Sequence, residues 1–301
     1  MERQPVRFAD VGGMDALKAL ARMKIIEPFA RPELFKKYGK AAGGGMLLYG
    51  PPGCGKTYFA RAIAGQCGAA FFNVGIHDIL NLYVGNSERN VRRLFETARA
   101  HRPAILFIDE LDALGRKRDL MRNSHLTSTI NAFLTELDGA TSDNTNLLVL
   151  GATNAPWDID SAFKRPGRFD QRLFIHPPDE AARQAILTLH LAKRPCSQDV
   201  SPEVLGALAA DTVQFSGADL AALVDNAAGA VLDEVLEGGT ERPIERADLM
   251  AARRAQKSSV TEWLATARNY VEFANEGGDY EEVAKYLAES AVAVKRRFGF
   301  L

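Results

Sequence analysis

The chain has 301 residues, 47% of them hydrophobic and 25% charged, with a formal net charge of −1. That length suggests about two domains and a core able to stand without disulfides or metals. The near-neutral charge argues against a nucleic-acid binder held by bulk charge, and three widely spaced cysteines (Cys54, Cys67, Cys196) without a CxxC argue against a disulfide framework or zinc site.

The longest apolar runs, such as residues 104–108, are far shorter than the ~20 residues that span a bilayer. The start, Met1 to Pro5, has no signal-peptide core. A cytoplasmic, reducing location is expected.

In chain order, residues 46–49, 70–74, 104–108, 147–151 and 173–176 are short, continuous apolar runs. Strands buried on both faces of a parallel sheet have this character. Between them lie helical patterns. Phe59, Ala60, Ile63, Ala64 and Cys67 recur at helical spacing, and so do Val91, Leu94, Phe95 and Ala98. The alternation predicts an α/β fold with right-handed crossovers.

After Pro177-Pro178 the strands stop. Residues 180–191, 202–210, 217–236 and 244–257 read as helices, with Ser216 and Pro202 as start signals and Gly238-Gly239 as a breaker. Residues 260–301 read as an antiparallel helix pair broken at Gly277-Gly278. The expected division is an α/β domain over 1–177, an all-helical domain over 178–257 and a helical hairpin over 258–301.

Two motifs carry chemistry. Gly50-Pro51-Pro52-Gly53-Cys54-Gly55-Lys56-Thr57 fits G-x-x-x-x-G-K-[ST] between a predicted strand and a predicted helix. Glycines let successive backbone N–H groups of Gly53–Tyr58 turn toward phosphates, and the following helix adds its dipole. Lys56 can reach the β- and γ-phosphates of ATP, and the Thr57 hydroxyl can ligate Mg²⁺.

The second motif is Asp109-Glu110, two carboxylates at the end of the strand 104–108. Ligands sit beyond the carboxyl ends of strands in open α/β sheets. Asp109 suits Mg²⁺ binding and Glu110 suits activation of water. A nucleotide switch has no need of Glu110, so the pair favours hydrolysis.

Together these residues resemble the AAA ATPases, the AAA proper branch of AAA+ proteins, over about residues 6–256. Phe8-Ala9-Asp10-Val11-Gly12-Gly13 is similar to the family's opening segment, Gly151-Ala152-Thr153-Asn154 to its sensor 1 strand end, and Arg165-Pro166-Gly167-Arg168-Phe169-Asp170 to the end of its second region of homology. Ser216-Gly217-Ala218-Asp219-Leu220 resembles its sensor 2 segment.

The resemblance implies a P-loop NTPase fold: a five-stranded parallel sheet between helices, then an all-helical lid, here with a C-terminal hairpin. It implies that Asn154 positions water or senses the γ-phosphate. It implies that Arg165 and Arg168 are arginine fingers acting on the neighbouring subunit of a hexameric ring. Asp10, Gly12, Tyr58, His190, Gly217 and Ala218 join Pro52, Gly53, Cys54 and Gly55 as expected nucleotide contacts. Tyr83-Val84-Gly85 matches the loop that lines the family's central pore and grips extended polypeptide, and Arg116-Lys117-Arg118 with Arg122 falls at the second pore loop.

The departures are equally specific. About seven residues precede the opening segment, so the usual N-terminal recognition domain is expected to be absent, its place open to an adaptor protein. No His-Glu-x-x-His occurs, and the end Gly299-Phe300-Leu301 is not a proteasome-docking tail. A polypeptide-remodelling motor leads. A nucleic-acid motor or loader, and an ATP-driven switch acting on a partner through residues 260–301, remain as alternatives.

Overall fold

The computed structural model describes residues 2–3, 5–39, 43–75, 79, 87–113, 124–139, 143–275 and 278–298. It divides into two compact units. One holds Met1–Val11, Asp15–Gly50 and Lys56–Ile175, and the other holds Gly12–Met14, Pro51–Gly55 and His176–Leu301.

The first unit is built on one sheet. Its strands are β1 (Glu2–Arg3), β2 (Gly44–Tyr49), β3 (Ala70–Val74), β4 (Ala104–Ile108), β5 (Leu147–Thr153) and β6 (Gln171–Phe174). They lie in the order β1-β3-β4-β5-β2-β6. β3, β4, β5, β2 and β6 are parallel, as expected. The sixth member, β1, is a two-residue antiparallel edge on β3 that the sequence did not announce.

Every residue of β4 and β5 is buried, which is why their sequences run apolar without alternation. The last strand needs a correction. It pairs over Gln171–Phe174 rather than residues 173–176, because β6 is an edge strand whose first two residues are polar.

Helices α1 (Asp15–Ala21), α2 (Glu27–Ala30) and α3 (Pro32–Lys37) precede the sheet, with a five-residue π-helical turn at Arg22–Ile26. Helices α4 (Lys56–Cys67), α5 (Ser87–Ala100) and α6 (Ser124–Asp138) follow β2, β3 and β4 in turn. One face of the sheet carries a run of rings, Phe95–Phe133–Phe163–Phe169, with successive centroids 5.6, 6.2 and 6.3 Å apart. It packs with Leu106 and Val149 in a single core. Gly151 in β5 leaves room for this packing: a Cβ there would stand 2.9 Å from the Leu111 side chain and 3.1 Å from the Phe169 ring.

The second unit is helical. Helices α7 (Glu180–Leu191), α8 (Pro202–Asp211), α9 (Gly217–Leu236) and α10 (Arg246–Ala255) enclose Leu187, Leu208, Leu220, Leu223, Val224 and Leu249. The expected helix over 244–257 is shorter at both ends. Ile244 is drawn off into a bridge with Cys196, and Gln256 turns to extended backbone.

Helices α11 (Val260–Phe273) and α12 (Glu281–Phe298) form the last pair, with Trp263, Leu264, Ala267, Tyr280 and Val283 buried. Arg183 is 6% exposed and lies within α7. It donates to the carbonyls of Pro178 at 2.9 Å and Ala209 at 2.8 Å, so its polar head is matched where it is buried.

Candidate nucleotide site

Within the first unit the parallel register sets the site. Ile108 pairs with Gly151, and Tyr49 pairs with Thr153. The carboxyl ends of β2, β4 and β5 are therefore level and adjacent, and each runs directly into nominated residues: Gly50, Asp109 and Asn154. Lys56 opens α4, is 7% exposed, and donates to the Gly50 carbonyl at 2.8 Å. Its ammonium is thus folded back over the start of the loop.

The Thr57 hydroxyl donates to Asp109 Oδ2 at 3.1 Å. The other carboxylate oxygen, Asp109 Oδ1, accepts from the Glu110 backbone N–H at 2.9 Å. Glu110 is exposed and adopts φ of 54°, a left-handed backbone unusual for a residue with a side chain. The turn beyond it is fixed by Leu111, whose N–H donates to the Ala152 carbonyl at 2.9 Å. Asp112 adds a second tie, accepting from Thr153 Oγ1 at 2.7 Å. Asn154 follows this locked threonine and is half-buried.

Asp10 closes the turn Phe8–Asp10, its carboxylate accepting from the Arg7 N–H at 2.7 Å. The Tyr58 hydroxyl donates to the Asp10 carbonyl at 3.3 Å. Partial burial, helped by the Asp10 charge, pushes the Tyr58 phenol up. Phe8 stacks on Phe59 at 5.5 Å, holding the opening segment against α4.

Arg165 and Arg168 lie between β5 and β6. Arg165 is exposed. Arg168 is engaged: its Nε and Nη2 donate to the two Asp138 oxygens at 2.8 Å each, and its Nη1 donates to the Ala162 carbonyl at 2.7 Å. The Asp138 hydrogen bond holds its guanidinium pKa above the ordinary value.

Within the second unit, Gly53 packs with Gly217 and Ala218, and Gly12 packs on α7. A Cβ on Gly53 would lie 2.7 Å from Ser216 Oγ and 2.8 Å from the Ala218 Cβ. Ala218 donates its N–H to the Gly53 carbonyl at 3.2 Å. Gly217 is pressed against the same carbonyl, 3.3 Å from where its own Cβ would stand, with Ile186 Cδ1 at 3.9 Å. Gly12 lies on α7, where a Cβ would be 3.1 Å from that of Ala185. His190 is half-buried one helical turn beyond Ile186. Cys54 is buried, while Pro52 and Gly55 are exposed.

Gly53 has φ of 72° and Gly55 has φ of 84°, so the loop's curl is one that side chains resist. Tyr83, Val84, Gly85 and the basic residues Arg116, Lys117, Arg118 and Arg122 lie outside the described residues.

One participant, Ile186, has no signal in the sequence, and two others, Ser216 and Asp219, have contacts that the sequence does not announce. Ile186 joins the glycine cluster without any motif to mark it. Ser216 and Asp219 form a capping box, with Ser216 Oγ accepting from the Asp219 N–H at 3.1 Å and Asp219 Oδ2 accepting from the Ser216 N–H at 2.9 Å. The S-x-x-D spacing was visible as a helix start, but its contact with Gly53 was not.

Residues 46–177 match the model of the family described as ATPase family associated with various cellular activities (AAA). Over 221 residues, 73% of its length, the chain is 45% identical to the ribosome biogenesis ATPase RIX7 of Saccharomyces cerevisiae. Over 223 residues, 74% of its length, it is 43% identical to an uncharacterized AAA domain-containing protein of Schizosaccharomyces pombe. It spans 26% and 28% of those two relatives. The crystal structure of the FIGL-1 AAA domain in complex with ADP superposes with a TM-score of 0.76 at 33% identity, covering 90% of this chain and 91% of that one. The likeness thus reaches well past the phosphate-loop motif to the fold as a whole, and the chain belongs to the AAA family of ATPases.

Proposed function

We propose that this chain is an Mg²⁺-dependent ATPase motor that assembles as a hexameric ring and remodels or translocates polypeptide. One observation carries the hydrolytic part: the phosphate-loop hydroxyl of Thr57, in the helix after β2, stands 3.1 Å from Asp109, beside Glu110 at the end of β4, with β5 between the two strands. A hydroxyl and a carboxylate side by side suit a hard cation that takes oxygen ligands and keeps several waters. Bound there, Mg²⁺ would neutralise charge on the β- and γ-phosphates.

The chain's own groups then have separate tasks. Backbone N–H groups from Gly53 to Tyr58 and the Lys56 ammonium hold the phosphates, with Pro52 shaping the loop. Glu110 takes a proton from the attacking water as its oxygen joins the γ-phosphorus and ADP leaves. Asn154 orients that water. Asp10, Gly12, His190, Gly217 and Ala218 hold the base and ribose. Arg165 and Arg168 reach the neighbouring subunit's γ-phosphate; Arg168 must exchange Asp138 for that phosphate, so Arg165 is the readier of the two.

Domains over 1–177, 178–257 and 258–301 serve binding, closure and attachment in turn. Tyr83, Val84 and Gly85 grip the substrate chain, since an aromatic next to a glycine makes sequence-tolerant contacts. The similarity to a relative named for ribosome biogenesis supports a remodelling role, with an adaptor or a larger assembly as partner.

The test is ATPase rate with and without an unfolded model protein, in the wild type and in Tyr83→Ala. Stimulation by unfolded protein that is lost in Tyr83→Ala supports the motor. Stimulation by DNA or RNA alone replaces it with a nucleic-acid motor. Full activity of Tyr83→Ala, abolished by deleting 260–301, replaces it with a switch acting through the hairpin.

A further inference from the structure

A buried carboxylate ties the start of the C-terminal helix pair to the segment that packs on Gly53 of the phosphate loop. Asp219 is 5% exposed, and its Oδ2 accepts three hydrogen bonds. The donors are the Ser216 N–H at 2.9 Å, the Ser259 N–H at 3.1 Å and the Ser259 hydroxyl at 3.0 Å. The two serine hydroxyls lie 3.4 Å apart. Ser216 is the residue whose Oγ occupies the space a Gly53 side chain would need, and its neighbour Ala218 bonds the Gly53 carbonyl.

Ser259 directly precedes α11. Its hydroxyl does not cap that helix; the Val260 N–H is served by Ser258 instead. The Ser259 hydroxyl is therefore committed to Asp219 and not to helix α11 itself.

A second anchor comes from α12. The Tyr286 ring stacks on His176 with centroids 5.8 Å apart and planes 17° from parallel. Burial raises the Tyr286 phenol, opposed by a hydrogen bond with Ser290. The start of α11 thus reaches the Ser216 segment that packs on Gly53, while α12 is tied to His176.

We propose that Asp219, held between Ser216 and Ser259, makes the C-terminal helix pair a positioning element for the phosphate loop, so that α11 sets where Gly53 lies and how tightly nucleotide phosphates are held. This rests on the reading of Gly50–Thr57 as the ATP cradle. Asp219 and Ser259 are positioning residues, acting through Ser216. A hydrogen bond to a carboxylate is among the stronger ones in proteins, and a buried group left short of a partner loses more than the bond.

The experiment measures ATP, ADP and AMP binding with Mg²⁺ by competition against a fluorescent ADP analogue, alongside nucleotide-free melting. Ser259→Ala is expected to weaken ATP and ADP about three- to tenfold, leave AMP unchanged and shift melting by less than about 3 °C. Asp219→Asn is expected to weaken both further; if it fails to fold, Ser259→Ala carries the test. Ser259→Ala in a Ser216→Ala background should add little, because the two act through one node.

Unchanged ATP and ADP affinity in Ser259→Ala overturns the proposal. So does an equal loss for all three nucleotides, because the phosphate loop holds β- and γ-phosphates and AMP has neither. A wild type that binds no ATP, or a Lys56→Ala variant that binds as well as wild type, overturns the reading of the loop itself.

Discussion

Glu110 and Asp109 differ in how they are held, and the difference fits the tasks proposed for them. Both Asp109 oxygens are engaged, by Thr57 and by the Glu110 N–H. Glu110 is exposed, on a left-handed backbone that directs it beyond the strand end. Glu110→Gln should keep ATP bound while turnover falls at least ~100-fold, the usual worth of a positioned base. Retained turnover in a single-turnover assay would remove Glu110 from the mechanism.

The two arginines divide in the same way. Arg165→Ala is expected to lose turnover with melting unchanged. Arg168→Ala should also lower the unfolding free energy by about 1–2 kcal/mol, because it strips a bidentate partner from Asp138. Equal melting of the two variants would contradict that division. Thiol reactivity gives a third check. Cys54 is buried, burial pushes Cys67 up to about 12, and Cys196 is exposed. A thiol reagent at pH 8 should modify Cys196 alone in the folded protein, and all three cysteines after unfolding.

At the level of elements, what the sequence made legible follows from how each element is buried. β3 and β4 run where their apolar residues stop, and α7 and α9 span their predicted bounds because capping residues mark their starts. β1 and the first half of β6 were missed because edge pairing by polar residues leaves no hydrophobic pattern. Helix α6 did carry a signal, Ile130, Phe133, Leu134 and Leu137 at helical spacing, and it went unused. The loop and acid pair were readable as motifs. The Ser216–Asp219–Ser259 node was not, since Ser259 lies 40 residues from Asp219 and a polar contact at that distance leaves no pattern.

One inter-element tie predicts a pH response. Arg242 donates to Asp248 at 2.7 and 3.0 Å and to Glu234 at 2.6 and 3.0 Å, joining α9 to α10. Asp248 also accepts from the Glu245 N–H at 2.8 Å at the start of α10. Arg242 foremost, then this cap, lowers the Asp248 pKa against the opposing effect of burial. A carboxyl whose folded pKa is lowered stabilises the fold above its unfolded value, about 3.9, and loses that contribution as pH falls through the folded value. Asp248→Asn should therefore melt a few degrees lower at pH 7, with the gap closing below about pH 4. A gap that stays constant into acid would assign the effect to packing instead.

For the whole molecule, an arginine supplied by a neighbour ties turnover to assembly. ATPase rate per subunit should rise cooperatively with protein concentration, and wild type mixed with excess Arg165→Ala should lose activity more steeply than in proportion. A rate per subunit that is flat from dilute to concentrated protein would place the finger within its own chain.

The pairing of Gly53 with Ser216 and Ala218 also has a consequence in time. About 160 residues separate the loop from its partners. At roughly 5–20 residues per second, a ribosome takes about 10–30 s to make the stretch between them. Through that interval Gly53 lacks Ser216 and Ala218, the residues it packs against, so tight ATP binding is expected late in the protein's birth. Stalled chains ending before Ser216 should therefore pass over immobilised ATP, and chains long enough to expose Ser259 should be the first retained.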